Sequence, residues 1–214
     1  MSVEIKKIYK EEIYEHPGFT YPNLFEKNLR PTVIIGCGGT GAQVLVSLYK
    51  KMYEFFNKEI PPCFQFLYFD TENAIERIEK ESHLKVNINP SPLLKTDSTK
   101  YKETLCNFFG KKTEDELPQC IRGLIKSFLP AQPGAGISRL CGKAIILINR
   151  NEVKNKIKEA VKSLARKDIG GGIDFYIVSS TCGGTGSGIF LEVAEIIKEL
   201  YKEEGKNLTT LPGQ

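Results

Sequence analysis

The pentapeptide Cys-Gly-Gly-Thr-Gly occurs twice, at Cys37–Gly41 and again at Cys182–Gly186. Gly36 precedes the first copy and Gln43 follows it closely, while the second runs on into Ser187 and Gly188. Each copy comes after an apolar run rich in β-branched residues, "PTVIIG" and "IDFYIVSST", and each leads into a helix-like pattern. The first turn of a helix carries N–H groups without intrahelical partners and a partial positive charge, and glycines let an anion come close to them. One such loop suits one or two phosphate groups. Two that face each other suit a triphosphate along its length.

Other chemistries fit less well. "GGTGSG" lacks the lysine of a Walker P-loop, and Ser187 is not framed as the GxSxG of a nucleophile elbow. The cysteines at 37, 63, 106, 120, 141 and 182 form no CxxC pair and no zinc spacing. They read as small buried residues in a reducing cytosol, which points to a cytoplasmic protein. His16 and His83 sit near no matched Ser, Cys or Asp, which argues against a triad hydrolase.

Alternating strands and helices must position the two loops. Thr32–Ile35 reads as a short buried strand, and Leu45, Leu48, Tyr49, Met52 and Phe56 share one face of a helix closed by Pro61 and Pro62. Phe64–Phe69 reads as a second strand ending on Asp70-Thr71-Glu72, followed by helical turns over Ala74–Lys80 and a third strand over Leu84–Ile88. Residues 89–132 read as an insertion with helices near Tyr101–Phe109 and Pro118–Phe128. From Ile137 through Cys141, Ala144, Ile148, Val153, Ile157 and Val161 to Leu164 the apolar spacing predicts one long helix. Its outer face carries Lys154, Lys158, Lys162 and Arg166, read as a solvated stripe. Gly170–Gly172 then turns the chain into a strand over Ile173–Ser179, and the second glycine loop opens a helix with Ile189, Val193, Ile197 and Leu200 inward.

This order predicts an α/β fold: a doubly wound, mostly parallel sheet with helices on both faces. In such a sheet the first strand lies between the second and the fourth, and ligands sit at the crevice beside it. The two CGGTG loops follow the first and fourth strands, so they are expected to serve one ligand. Residues 1–30 read as an N-terminal extension and 31–214 as one domain, with "NLTTLPGQ" resembling the start of a further strand. The domain is expected to stop short of a C-terminal domain.

Composition bounds the alternatives. A 214-residue chain that is 41% hydrophobic and 26% charged can bury the core of a globular domain. The net charge of +4 arises from lysines scattered among glutamates, with no compact basic block of the kind a dedicated nucleic-acid surface uses. No apolar stretch approaches the length of a membrane span, and the N-terminus lacks the layout of a signal peptide.

Taken together, these motifs resemble the tubulin/FtsZ superfamily, in the form of a divergent bacterial tubulin-like branch. "STCGGTGSGIFLEVAEIIKEL" resembles the tubulin signature GGGTGSG and its helix, with Cys182 in place of the first Gly. "IIGCGGTGAQVLVSLY" is similar to the first FtsZ loop, with Gln43 where FtsZ has Asn. "FLYFDTENAIERI" resembles the second loop, and "PGAGISRLCGKAI" the third, whose Gly-Ala-Gly senses a γ-phosphate. The resemblance spans roughly Val33–Tyr201.

It implies a Rossmann-like nucleotide-binding domain that takes GTP with Mg²⁺. The implied binding residues are Gly36, Cys37, Gly38, Gly39, Thr40, Gly41 and Gln43 in the first loop, and Asp70, Thr71 and Glu72 in the second. Gly134, Ala135 and Gly136 form the third, with Cys182, Gly183, Gly184, Thr185, Gly186, Ser187 and Gly188 in the last. Glycine amides and the Thr185 and Ser187 hydroxyls would meet the phosphates. Asp70 and Glu72, repelled by phosphate, would act through Mg²⁺, its water shell or the ribose. In the family, guanine is read and water activated by regions beyond the second glycine loop, the latter from a neighbouring subunit. The chain is accordingly expected to be a nucleotide-binding half-molecule, with no catalytic residue of its own, that associates head to tail when complete.

Two other readings stay open. "VIIGCGGTGAQVL" also resembles adenylating enzymes of the ubiquitin-activating type, which have no use for a second glycine loop. A pseudo-enzyme scaffold that binds nucleotide without turnover is the other. On any nucleotide-binding reading, Gly186→Val is expected to abolish binding and leave the fold intact.

Overall fold

A computed structural model of the chain describes residues 30–71, 74–82, 89–90, 98–128, 138–164 and 172–203. In chain order the elements are β1 (Thr32–Cys37), α1 (Gly38–Phe55), β2 (Phe64–Phe69), α2 (Ala74–Ser82), β3 (Asn89–Pro90), α3 (Ser98–Phe108), a 3₁₀ turn (Glu114–Glu116), α4 (Gln119–Phe128), α5 (Arg139–Ile148), α6 (Arg150–Ser163), β4 (Asp174–Ser179) and α7 (Gly184–Glu203). The sheet runs in the order β3-β2-β1-β4, and every neighbouring pair is parallel.

β1 is buried along its whole length because strands flank it on both sides and helices cover both faces. Successive side chains of a strand point to opposite faces. Val33, Ile35 and Cys37 enter the larger core, with Leu67 and Phe69 of β2 and apolar residues of α3 through α7. Ile34 enters the smaller core, with Phe66 and Tyr68, Ala42, Leu45, Val46 and Tyr49 of α1, and Ala74 and Ile75 of α2. The register pairs Cys37 with both Phe69 and Ser179, so β1, β2 and β4 end in step. The three loops that follow them therefore leave the sheet at one edge.

Several expectations are revised. The single long helix is two, with the break at Asn149, whose φ of -99° and ψ of 13° leave the helical region while its N–H still donates to the Ile145 carbonyl at 3.1 Å and its Nδ2 adds a second bond to the same oxygen at 2.8 Å. Apolar periodicity runs through the break unchanged, which is why spacing alone hid it. The basic stripe is not simply solvated: Lys154 and Lys158 reach Glu203 of α7 at 2.5 and 3.5 Å. Arg150 bridges Glu192 and Glu199 in the same way, so α6 is tied to α7 by a row of ion pairs. Arg166 lies outside the described residues.

Helix α1 ends before the prolines, through Asn57 and Lys58 with φ of 53° and 69°, and Lys58 N–H donates to the Tyr53 carbonyl at 2.7 Å. That left-handed turn is a common helix stop. The third strand is described only at Asn89–Pro90, paired with Leu67 and Tyr68, and 84–88 lies outside the described residues. The two insertion helices occur where expected, and Leu105, Cys106, Leu117, Ile121 and Ile125 share the larger core with the sheet. Residues 1–29 and the chain beyond 203 are also outside the described set. Of the cysteines, 37, 106 and 141 are buried as expected, whereas Cys120 and Cys182 are exposed.

Candidate functional site

The two glycine loops meet at the shared strand edge. Gly38 opens α1 with φ +73°, and a Cβ there would stand 2.8 Å from Gly186 N. Ser179 Oγ donates to the Cys37 carbonyl at 3.4 Å, joining the ends of β4 and β1. From the third side, Thr71 Oγ1 lies 3.1 Å from Thr185 Oγ1, linking the end of β2 to the first turn of α7. The sequence-predicted residues of three loops thus converge on one place.

Its electrostatics suit an anion. Cys37, the N-cap of α1, is extended and caps the helix with no side-chain bond, and the first turn holds no acidic residue. The first turn of α7 holds none either. Both helix N-termini consequently keep their partial positive charge unneutralised by their own side chains. Arg139, the first residue of α5, adds a cation beside the second loop, its Nη2 donating to the Thr181 carbonyl at 3.3 Å. Sequence reasoning passed over Arg139, although its place three residues after the Gly-Ala-Gly segment was a usable signal.

The glycines divide into two kinds. Gly36, Gly38, Gly41, Gly186 and Gly188 are buried at contacts where backbones or a core side chain approach closely. At Gly36, for example, a Cβ would meet Leu45 Cδ1 at 2.5 Å. Gly39 and Gly183 are exposed, and a Cβ at either would meet nothing within 4 Å. Packing gives no reason for glycine at these two, whereas an anion drawn close to a backbone amide does.

The remaining predicted residues fall as follows. Thr40, Gln43 and Cys182 are exposed. Cys37 points into the core, where burial, and next the nearby Asp70 carboxylate, push its thiol far above the ordinary range, so its side chain is a neutral core group. Ser187 is buried, and its hydroxyl donates to the Gly183 carbonyl rather than facing outward. Asp70, 6% exposed, accepts from the Tyr68 hydroxyl and from Thr71 N–H at 2.7 Å. Glu72, Gly134, Ala135 and Gly136 lie outside the described residues.

The donor set fits a polyphosphate: backbone N–H groups, an arginine and threonine hydroxyls. It does not make an all-protein cation site, since among the described residues no three His, Cys, Asp or Glu side chains gather to hold a metal. A Mg²⁺ ion would have to arrive with the phosphates and keep most of its water, as Mg²⁺ usually does.

Fold and site define an α/β protein in which two glycine-opened helices and Thr71, just past the end of β2, meet at one edge of a parallel sheet. The family model described as "Tubulin like" matches residues 33–212. The chain belongs to this tubulin-like family, within the tubulin/FtsZ-like superfamily. A search of curated proteins returns no match. Among the described residues no helix is long and apolar enough to cross a membrane.

Proposed function

We propose that the chain is the nucleotide-binding part of a filament-forming, tubulin/FtsZ-type protein, and that its ligand is GTP with Mg²⁺. The supporting observation is the close backbone approach of Gly38 and Gly186, which brings two helix N-termini together where one polyphosphate would bridge them. The amides around Gly39 and Gly183 would hold phosphate oxygens, with Arg139 adding charge at the rim. Mg²⁺, when bound, would neutralise phosphate charge, with Asp70 acting on its water shell. On this reading the fold is the doubly wound, Rossmann-like nucleotide domain, the protein is cytoplasmic, and copies associate head to tail. Hydrolysis would then need groups from a neighbouring subunit. The adenylating alternative leaves the second glycine loop without a purpose.

The test is thermal stabilisation with GTP, ATP and NAD, each with and without Mg²⁺. A ligand at a hundred times its Kd stabilises by about 2.7 kcal/mol, a readily measured rise in melting temperature. A rise with GTP and Mg²⁺ that ATP and NAD do not match is expected. An ATP preference supports the adenylating reading, and no rise with any nucleotide overturns the proposal.

A further inference from the structure

Tyr68 is not among the expected binding residues, yet its hydroxyl begins a hydrogen-bond chain that ends in the second glycine loop. Its ring is buried in the smaller core, and its hydroxyl donates to Asp70 Oδ2. Asp70 Oδ1 accepts Thr71 N–H at 2.7 Å and lies 3.4 Å from Thr71 Oγ1. Thr71 Oγ1 stands 3.1 Å from Thr185 Oγ1, and either of these two hydroxyls can be the donor.

Each threonine hydroxyl has one proton and two lone pairs. If Thr71 donates to Asp70, Thr185 gives its own proton to Thr71 and has none left for an anion. If Thr71 donates to Thr185 instead, the Thr185 proton is left free for an anion. Tyr68 and Thr71 N–H already serve both oxygens of Asp70, so the carboxylate does not depend on the Thr71 hydroxyl. The 3.4 Å contact is also the longer of the two choices, and the weaker.

We propose that Thr71 is a positioning residue that turns the Thr185 proton toward a bound phosphate, and that Tyr68 makes this possible by satisfying Asp70 from the core side. The inference deepens the nucleotide-binding reading and rests on it. It concerns Thr71 acting through Thr185, not by touching the ligand.

The experiment measures GTP affinity, with Mg²⁺, for the unaltered chain, Thr71→Val, Thr71→Ser and Tyr68→Phe, together with Thr71 amide hydrogen exchange in the free proteins. Thr71→Val should bind roughly tenfold more weakly, the size of one hydrogen bond to a charged group, and Thr71→Ser should restore binding to within about twofold. Tyr68→Phe should also weaken binding and should speed Thr71 amide exchange without nucleotide. Combined with Thr71→Val it should add little, since both act through one chain. If the unaltered chain binds GTP and Thr71→Val binds equally well, this inference falls and the functional reading stands. An equal loss in Thr71→Ser and Thr71→Val also overturns it. If the unaltered chain binds no nucleotide, both readings fall together.

Discussion

Gly38 and Gly186 touch backbone to backbone: a Cβ on Gly38 would stand 2.8 Å from Gly186 N, and one on Gly186 would stand 2.8 Å from the Cys37 carbonyl oxygen. Two loops far apart in sequence are thereby locked together by the absence of side chains. This makes the contact a stability element as well as part of the cleft. It also revises the expectation that Gly186→Val would spare the fold, because its Cβ would in addition meet Ser179 Oγ at 2.7 Å.

Substitutions should therefore separate packing glycines from ligand-facing ones. Gly38→Ala combines a left-handed φ with overpacking, and each costs about 1–3 kcal/mol. Gly39→Ala and Gly183→Ala have open space and should change stability by less than about 0.5 kcal/mol. Urea unfolding checks this order. Nucleotide binding should reverse it in kind: Gly39→Val and Gly183→Val should lose the thermal shift while melting near the unaltered protein.

A second close contact lies where α5 crosses α7. A Cβ at Gly142 would fall 2.3 Å from the Gly184 carbonyl oxygen, and one at Gly188 would fall 2.7 Å from Gly142 Cα. Neither obstacle is a flexible side chain. Gly142→Val should destabilise by at least about 3 kcal/mol, or prevent folding, because the helices must separate to admit it. Gly123→Ala, with nothing within 4 Å inside α4, should instead be neutral or stabilising, since alanine is the better helix former. Denaturant midpoints of the two variants would check this contrast.

The sequence carried the sheet order and the meeting of the loops, because short apolar, β-branched runs alternating with helical spacing have few readings other than a parallel sheet. It carried less of the packing. Gly142 sits inside an apolar helical run, and only the crossing with Gly188 explains why it is glycine. Asn149 is a single polar residue in a continuous period, and its break is a local change of backbone dihedrals that no spacing reveals. Of the site, residue types announced the glycines and Asp70, but Tyr68 looked like any strand aromatic. Its hydroxyl gained meaning only when β2 aligned it with the next residue but one on the same side.

Cys37 should leave a mark on the pH dependence of stability. Its thiol is raised by burial first and by Asp70 second, so the folded state holds the proton where the unfolded chain releases it. Folding is then undisturbed below the unfolded thiol value of about 8.5, and stability falls as pH rises above it. The slope from this group approaches about 1.4 kcal/mol per pH unit. Cys37→Ala should be less stable at neutral pH through lost packing, yet should lose less on going from pH 8 to 10. Parallel urea curves of the two proteins would check it, and identical slopes would remove the claim.

Thiol labelling reads the cleft directly. Cys182 is exposed in the second glycine loop, and Cys120 is exposed on α4, away from both glycine motifs in sequence, while Cys37 and Cys141 are buried. A maleimide at neutral pH should modify Cys182 and Cys120 and leave Cys37 and Cys141 untouched in the folded protein, since reaction needs an accessible thiolate. GTP with Mg²⁺ should slow the reaction at Cys182 toward the fraction of protein left free, about a hundredfold at a hundred times the Kd, with Cys120 as internal control. Peptide mapping by mass spectrometry separates the two sites. Equal protection of both cysteines would mean a general tightening of the fold, and no protection at Cys182 would mean that the nucleotide lies elsewhere. Prior modification of Cys182 with a bulky reagent should in turn abolish the thermal shift with GTP, because the adduct would occupy the space beside Gly183 that the cleft leaves open.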